Sequence, residues 1–213
     1  MEALALTDPS KHASSSGDRG GVLRCLVART KAGDGASREE LAERSERAAY
    51  SFALQLVRNQ ADAQDVAQDS LIRFFSSLDR FDEERPVLPW LFRIVRNRVV
   101  DLGRRESLRR GLSLDTGSRQ GEAIDPVDHK ADPHRDSERL DLQKRIWASL
   151  EDLQEAHREI LVLRDYQDLS YRQIAEVLEI PQGTVMSRPH AARKSLRAHL
   201  LDSGWTFGDK NHD

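Results

Sequence analysis

The stretch Ser170–Arg197, SYRQIAEVLEIPQGTVMSRPHAARKSLR, constrains this chain most. Ser170 followed by Gln173 fits a capping box. Ile174, Ala175 and Leu178 give the helix that follows a buried face, and Ala175 is small enough for close helix approach. Ile180-Pro181-Gln182-Gly183 reads as a tight turn, and Thr184 opens a second helix with Val185 toward the core. A helix, a turn and a basic helix place the second helix in the major groove of DNA. Ordinary packing of two helices is the plain alternative, and the turn chemistry and charge favour the DNA reading. Pro189 sits awkwardly in the second helix. It removes one helical N–H and clashes with the preceding turn, so a kink is expected there.

The chain has 213 residues with a net charge of −3, so affinity for nucleic acid must come from local clustering of charge. Charge is segregated. Residues 62–84 hold seven acids against Arg73 and Arg80, and residues 91–110 hold seven arginines against Asp101 and Glu106. Residues 184–199 hold Arg188, Arg193, Lys194 and Arg197 with no acid. Solvated helix faces are the usual fate of such runs, but two of these three blocks lie beside motifs.

The rest of the chain reads as helical, with no strand alternation. Residues 1–21 are polar and Ser/Gly-rich and read as a disordered tail. A short helix is expected over 22–31, broken at Gly33-Asp34-Gly35. A long helix follows over about 37–58, with Leu41, Ala48, Phe52 and Leu56 at helical spacing. Asp62 is the expected N-cap of the next helix, with Val66, Leu71, Phe74 and Phe75 inward. A loop is expected over 79–89 and a further helix over 90–105. The predicted architecture is all-α: an N-terminal extension over 1–36, largely disordered, two small helical domains over 37–110 and 138–201, a flexible linker over 111–137 and a tail over 202–213.

Asp65, Gln68 and Asp69 lie at i, i+3 and i+4 and share one helix face, a docking surface for a basic partner. Trp90 and Phe92 are interleaved with Arg93, Arg96, Asn97, Arg98, Arg104 and Arg105. Rings on which bases stack, with cations that follow the backbone, suit single-stranded nucleic acid. Core packing is the competing reading for at least one of the two rings. In the second helix of the turn motif, Thr184, Ser187, Arg188, His190, Arg193 and Lys194 are candidates for DNA contact.

One cysteine, Cys25, excludes an internal disulfide framework and suits a reducing cytoplasm. The N-terminus lacks the charge and apolar run of a secretory signal. No apolar run approaches the ~18–20 residues that span a membrane, so no membrane insertion is expected. Asp125, Asp128, His129, Asp132, His134 and Asp136 are ligand types for zinc or a harder ion. They sit in a linker with nothing to rigidify a site, so no metal, cofactor or catalytic residue is expected.

The segments DVAQDSLIRFF, SLDRFDEERPVLPWLFRIVRNRVVDLGRR and LSYRQIAEVLEIPQGTVMSRPHAARKSLR resemble bacterial sigma-70-type sigma factors, and the two-domain layout is similar to the extracytoplasmic-function (ECF) group. The resemblance covers about 37–110 and 138–200. It implies a non-enzymatic subunit that binds core RNA polymerase and directs it to promoter DNA. It further implies that Asp65, Gln68 and Asp69 dock on the polymerase. Phe81, Phe92 and Asn97 would form the pocket for a base flipped from the minus-10 element, with Trp90, Arg93, Arg104 and Arg105 beside them. Thr184, Ser187, Arg188, His190, Arg193 and Lys194 would serve the minus-35 element. An anti-sigma partner is expected from the small two-domain layout. The chain departs from the family pattern at Pro189, where Leu or Ile is common, and at Met186 and Ala191, where Arg is common. A stand-alone helix-turn-helix regulator is the rival reading, and the aromatic, basic helix argues against it.

Overall fold

Polar spacing and capping residues divide the chain into helices. The computed structural model describes residues 9–57, 59–112, 146–150 and 152–204. The helices are α1 (Pro9–Lys31), α2 (Gly35–Val57), α3 (Gln60–Ser76), α4 (Val87–Leu112), α5 (146–150), α6 (Glu155–Leu161), α7 (Tyr171–Leu178) and α8 (Gln182–Asp202). No strand occurs among the described residues.

The short helix expected over 22–31 is present and ends before Gly33, but it begins earlier, at Pro9, so the disordered reading of 1–21 is corrected from Pro9 onward. Leu23, Leu26 and Val27, at i, i+3 and i+4, are buried, so α1 is part of the first bundle and packs on α2. Gly33 takes a positive φ of 90° and turns the chain. Asp34 then opens α2: its carboxylate accepts from the Ser37 hydroxyl at 2.8 Å and the Ala36 amide at 3.1 Å. The Ser37 hydroxyl, then the Ser37 amide, and Arg29 hold its carboxyl below the ordinary aspartate range.

A second correction concerns α3. Its N-cap is Asn59, not Asp62: the extended Asn59 accepts from the Asp62 amide at 3.0 Å. Asp62 lies inside the first turn, where a negative charge suits the helix dipole. Helix α4 begins at Val87, three residues before the expected start. Pro89 falls in its first turn, where no N–H is required. A 3₁₀ turn, Leu78–Arg80, closes the gap from α3.

In the first bundle α2 packs against α1, α3 and α4. Phe52 meets Phe92 with ring centroids 4.7 Å apart, and Phe74 meets Trp90 at 4.6 Å. The second bundle is built from α6, α7 and α8 around Ile160, Leu163, Ile174, Val177, Val185, Ala192 and Leu196. Between α6 and α7 the chain forms a π-helical turn, Val162–Tyr166. The two bundles touch where α4 lies against α7.

The capping box of α7 forms as expected. The Ser170 hydroxyl accepts from the Gln173 amide, and the Gln173 side chain accepts from the Ser170 amide at 2.8 Å. Helix α7 ends at Glu179 in the left-handed region, φ 55°. Helix α8 starts at Gln182, two residues ahead of the expected Thr184, with Pro181 as its N-cap. It continues past Pro189 to Asp202. Pro189 is buried on the inner stripe with Val185, Ala192, Leu196 and Leu200, so its ring packs in the core. The expected linker beyond Leu112, the Asp125–Asp136 ligand cluster, Leu140 and the tail beyond Gly204 lie outside the described residues.

Candidate polymerase and promoter interfaces

On α3, Asp65 and Gln68 are exposed beside half-buried Asp69, with Val66 and Ala67 buried beneath. Arg98 of α4 reaches over this face. Its Nε donates to Asp69 Oδ2 at 2.8 Å, and a second guanidinium nitrogen pairs with the same oxygen. The three residues therefore share a face as their spacing requires, but Asp69 is partly neutralised by the next helix. Ile72, 68% exposed, extends the same face one turn on.

The aromatic candidates separate in depth. Phe92 is fully buried against Phe52, so it is a core residue and offers no surface to a base. Its assignment to a base pocket does not fit that depth: Leu91 and Phe92 are both fully covered, so the Phe92 ring packs in the core rather than lining a surface pocket. Phe81 is nearly covered and stacks on half-buried Trp90, with centroids 4.2 Å apart and planes at 19°. Lys31 of α1 holds this turn, donating to the Phe81 carbonyl at 3.0 Å and pairing with Glu83 at 2.9 Å. Asn97 is half-buried, and Arg104 and Arg105 are exposed.

Helix α4 and the loop before it present three arginines to the second bundle. Arg93 pairs with Glu179, Arg85 Nη2 donates to Glu176 at 3.2 Å, and Arg96 Nε donates to Glu159 at 2.9 Å. Glu159 is nearly buried. Its burial raises the carboxyl above the ordinary glutamate range, and Arg96 opposes that only in part. Below this contact a groove of about 650 Å³ separates the bundles, bordered by Arg104 of α4, Arg158 of α6 and Arg188 of α8. Arg158 is buried, and its Nε and Nη1 have no hydrogen-bond partner among the described residues.

On α8, Ser187, His190 and Lys194 are exposed, and Thr184 and Arg188 are half-buried. Arg193 is held from behind. It donates through Nε and Nη2 to both carboxylate oxygens of Asp165, at 3.1 and 2.5 Å, and the bidentate pair raises its own pKa. The cross-bundle glutamates and Asp165 carry no signal in their local sequence. Each lies in a separate segment from its arginine and is found only when the helices pack.

A Sigma-70 region 2 family model matches residues 41–109, and a Sigma-70, region 4 model matches residues 149–198. The RNA polymerase sigma factor NccH of Alcaligenes xylosoxydans xylosoxydans is 32% identical over 199 residues, 93% of this chain and 99% of that protein. The ECF RNA polymerase sigma factor SigW of Bacillus subtilis is 28% identical over 183 residues, 85% of this chain and 98% of that protein. The structure of CnrH in complex with the cytosolic domain of CnrY is 28% identical with a TM-score of 0.62, covering 86% of this chain and 99% of that one. The sigma factor RpoE of Bartonella quintana, solved with the anti-sigma factor NepR, shares the fold at a TM-score of 0.66 and 24% identity, covering 79% and 98%.

Proposed function

The chain belongs to the ECF group of sigma-70 factors, and from that premise we propose how its residues divide the work of binding core RNA polymerase and directing promoter recognition and transcription initiation. It is not an enzyme. The observation that carries the division is the order of two modules with different faces: an acidic stripe on α3, and an exposed helix-turn-helix on α7 and α8.

Asp65 and Gln68, with Asp69, dock on core polymerase. Two acids displayed on one helix face attract a basic surface and set its register. Region 2, about 37–110, acts at the minus-10 element. Trp90 and Phe81 form the aromatic platform, Asn97 hydrogen-bonds an extruded base, and Arg93, Arg104 and Arg105 follow the backbone. Phe92 supports this platform from the core. Flipping a base costs a few kcal/mol, offset by stacking and pocket hydrogen bonds. Region 4, about 138–201, takes the minus-35 element through Thr184, Ser187, Arg188, His190 and Lys194, while Arg193 orients α8 through Asp165.

The residues between the modules, 111–137, act as the tether. Two weak readers on one tether gain affinity from their high effective concentration. Arg93 and Arg96 are paired to glutamates of region 4, so DNA phosphates must exchange with Glu179 and Glu159 when α4 engages the promoter.

CnrH and Bartonella RpoE were each solved with a protein partner, CnrY and NepR. By likeness to them, an anti-sigma protein is a partner of this chain. Among the described residues no helix is long and apolar enough to cross a membrane, and the site of action is the cytoplasm, where the polymerase works.

Run-off transcription with purified core polymerase tests this reading. Transcripts from specific start sites are expected only when the chain is added. Duplex binding without polymerase, and no new transcript, would move the assignment to a stand-alone regulator.

A further inference from the structure

The leading end of α8 displays an unusual set of side chains for a DNA-reading helix. Its inner stripe is Val185, Pro189, Ala192, Leu196 and Leu200. Its exposed positions over its first nine residues are Gln182, Gly183, Met186, Ser187 and His190. Met186 is 59% exposed. It shares a strip with His190 and Lys194 at i, i+4 and i+8.

The two arginines near this end sit differently. Arg193 is locked on Asp165 by two hydrogen bonds. Arg188 is half-buried at the groove between the bundles, and its charge acts on Glu159. Arginine bidentate to guanine is the commonest specific base contact, and the Asp165 pair withholds it from Arg193. Outermost on this end of the helix is a flexible thioether flanked by a hydroxyl and an imidazole.

We infer that Met186 is a specificity-determining residue that reads a thymine of the minus-35 element by packing against its C5-methyl group. This rests on the assignment of α8 as the minus-35 helix. The thymine methyl is the one apolar feature that the major groove offers. N-terminal residues of a recognition helix are those that reach base edges. Methionine is unbranched and polarizable, so it adapts to the methyl without a fixed rotamer. An exposed methionine in water gains from covering apolar surface, and the gain is conditional on that methyl being present.

The test uses full-length protein with core polymerase as holoenzyme. Duplexes are selected from a pool randomised across the upstream element, and each thymine of the winning sequence is then replaced singly by uracil, which lacks only the methyl. The selected element should contain a thymine whose replacement weakens holoenzyme binding about fourfold, the worth of one buried carbon group. Met186→Ala should bind the thymine and uracil duplexes equally, and Met186→Leu should keep the discrimination. Because Met186 is exposed, both variants should keep the native circular dichroism and melting temperature.

An element without thymine, a uracil scan without effect on the native protein, or a Met186→Ala variant that still discriminates would each overturn the inference. In those cases promoter-specific transcription persists, and the role of α8 stands. A holoenzyme that selects no duplex and makes no specific transcript overturns the helix assignment and the inference together.

Discussion

Arg93, on the outer face of α4, is ion-paired with Glu179, the residue whose left-handed backbone ends α7. One residue thus both turns the chain toward the recognition helix and holds a DNA-directed cation of the other bundle. Arg85 with Glu176 repeats the pairing nearby. Both pairs are largely solvent-exposed, so each contributes at most about 1 kcal/mol and is weakened by salt.

Charge reversal at Glu176 and Glu179 should therefore separate the bundles with little loss of fold. In Glu176→Lys with Glu179→Lys, donor–acceptor dyes placed one on each bundle should report a greater distance, while the melting temperature stays within a few degrees. Added salt should move the native protein in the same direction. Unchanged dye distance in the double variant would show that the packing of α4 on α7 and the Arg96–Glu159 pair hold the contact without these two glutamates.

Asp65→Arg with Gln68→Ala should weaken binding to core polymerase at least tenfold and leave stability intact, since both side chains are exposed. Asp69→Ala should lose affinity and also up to about 1 kcal/mol of stability, because it frees Arg98. Titration of labelled protein with core polymerase, beside urea melts, separates the two. Native affinity in the double variant would remove α3 as the docking face.

Phe92→Ala should cost about 3–5 kcal/mol in urea unfolding, the usual value for emptying a buried aromatic site. Asn97→Ala should leave unfolding unchanged and slow open-complex formation more than initial promoter binding. Permanganate reactivity of unpaired thymines reads that step. If Asn97→Ala loses closed and open complexes alike, Asn97 has a structural role.

Pro189→Ala restores an amide that donates to the Val185 carbonyl within α8. Stability should rise, by up to about 3 kcal/mol less whatever packing the buried ring provides. Chemical denaturation of the full chain measures the difference. A fall would show that the ring's packing outweighs the missing bond.

Glu159 gives the chain a pH signature. Burial raises its native pKa, so the folded state holds this proton more tightly than the unfolded chain. Its contribution to stability is largest below the unfolded value and declines as pH rises through that value to the raised native one. Glu159→Gln should flatten this decline in urea melts run from about pH 4 upward. An identical slope in the variant would assign the decline to other carboxylates.

The sequence by itself determined the helices and much of their chemistry. Apolar spacing in α2, α3 and α8 is local, and so is the Ser170–Gln173 box, because those bonds close within one turn. The shared face of Asp65, Gln68 and Asp69 also follows from helical geometry alone. Local signals competed at the cap of α3, where Asn59 and Asp62 are both good capping residues, and the backbone chose Asn59. Polarity hid the first half of α1, while its apolar second half, 22–31, was legible but gave no sign that α2 would cover it. The tertiary structure alone decided which charges are available. Arg93, Arg96, Arg98 and Arg193 look alike in the sequence, yet each is paired with an acid from another segment. It also decided that Phe92 is core while Trp90 stays at the flank. Pairing and depth depend on residues tens of positions apart meeting in space, and no local pattern encodes that meeting.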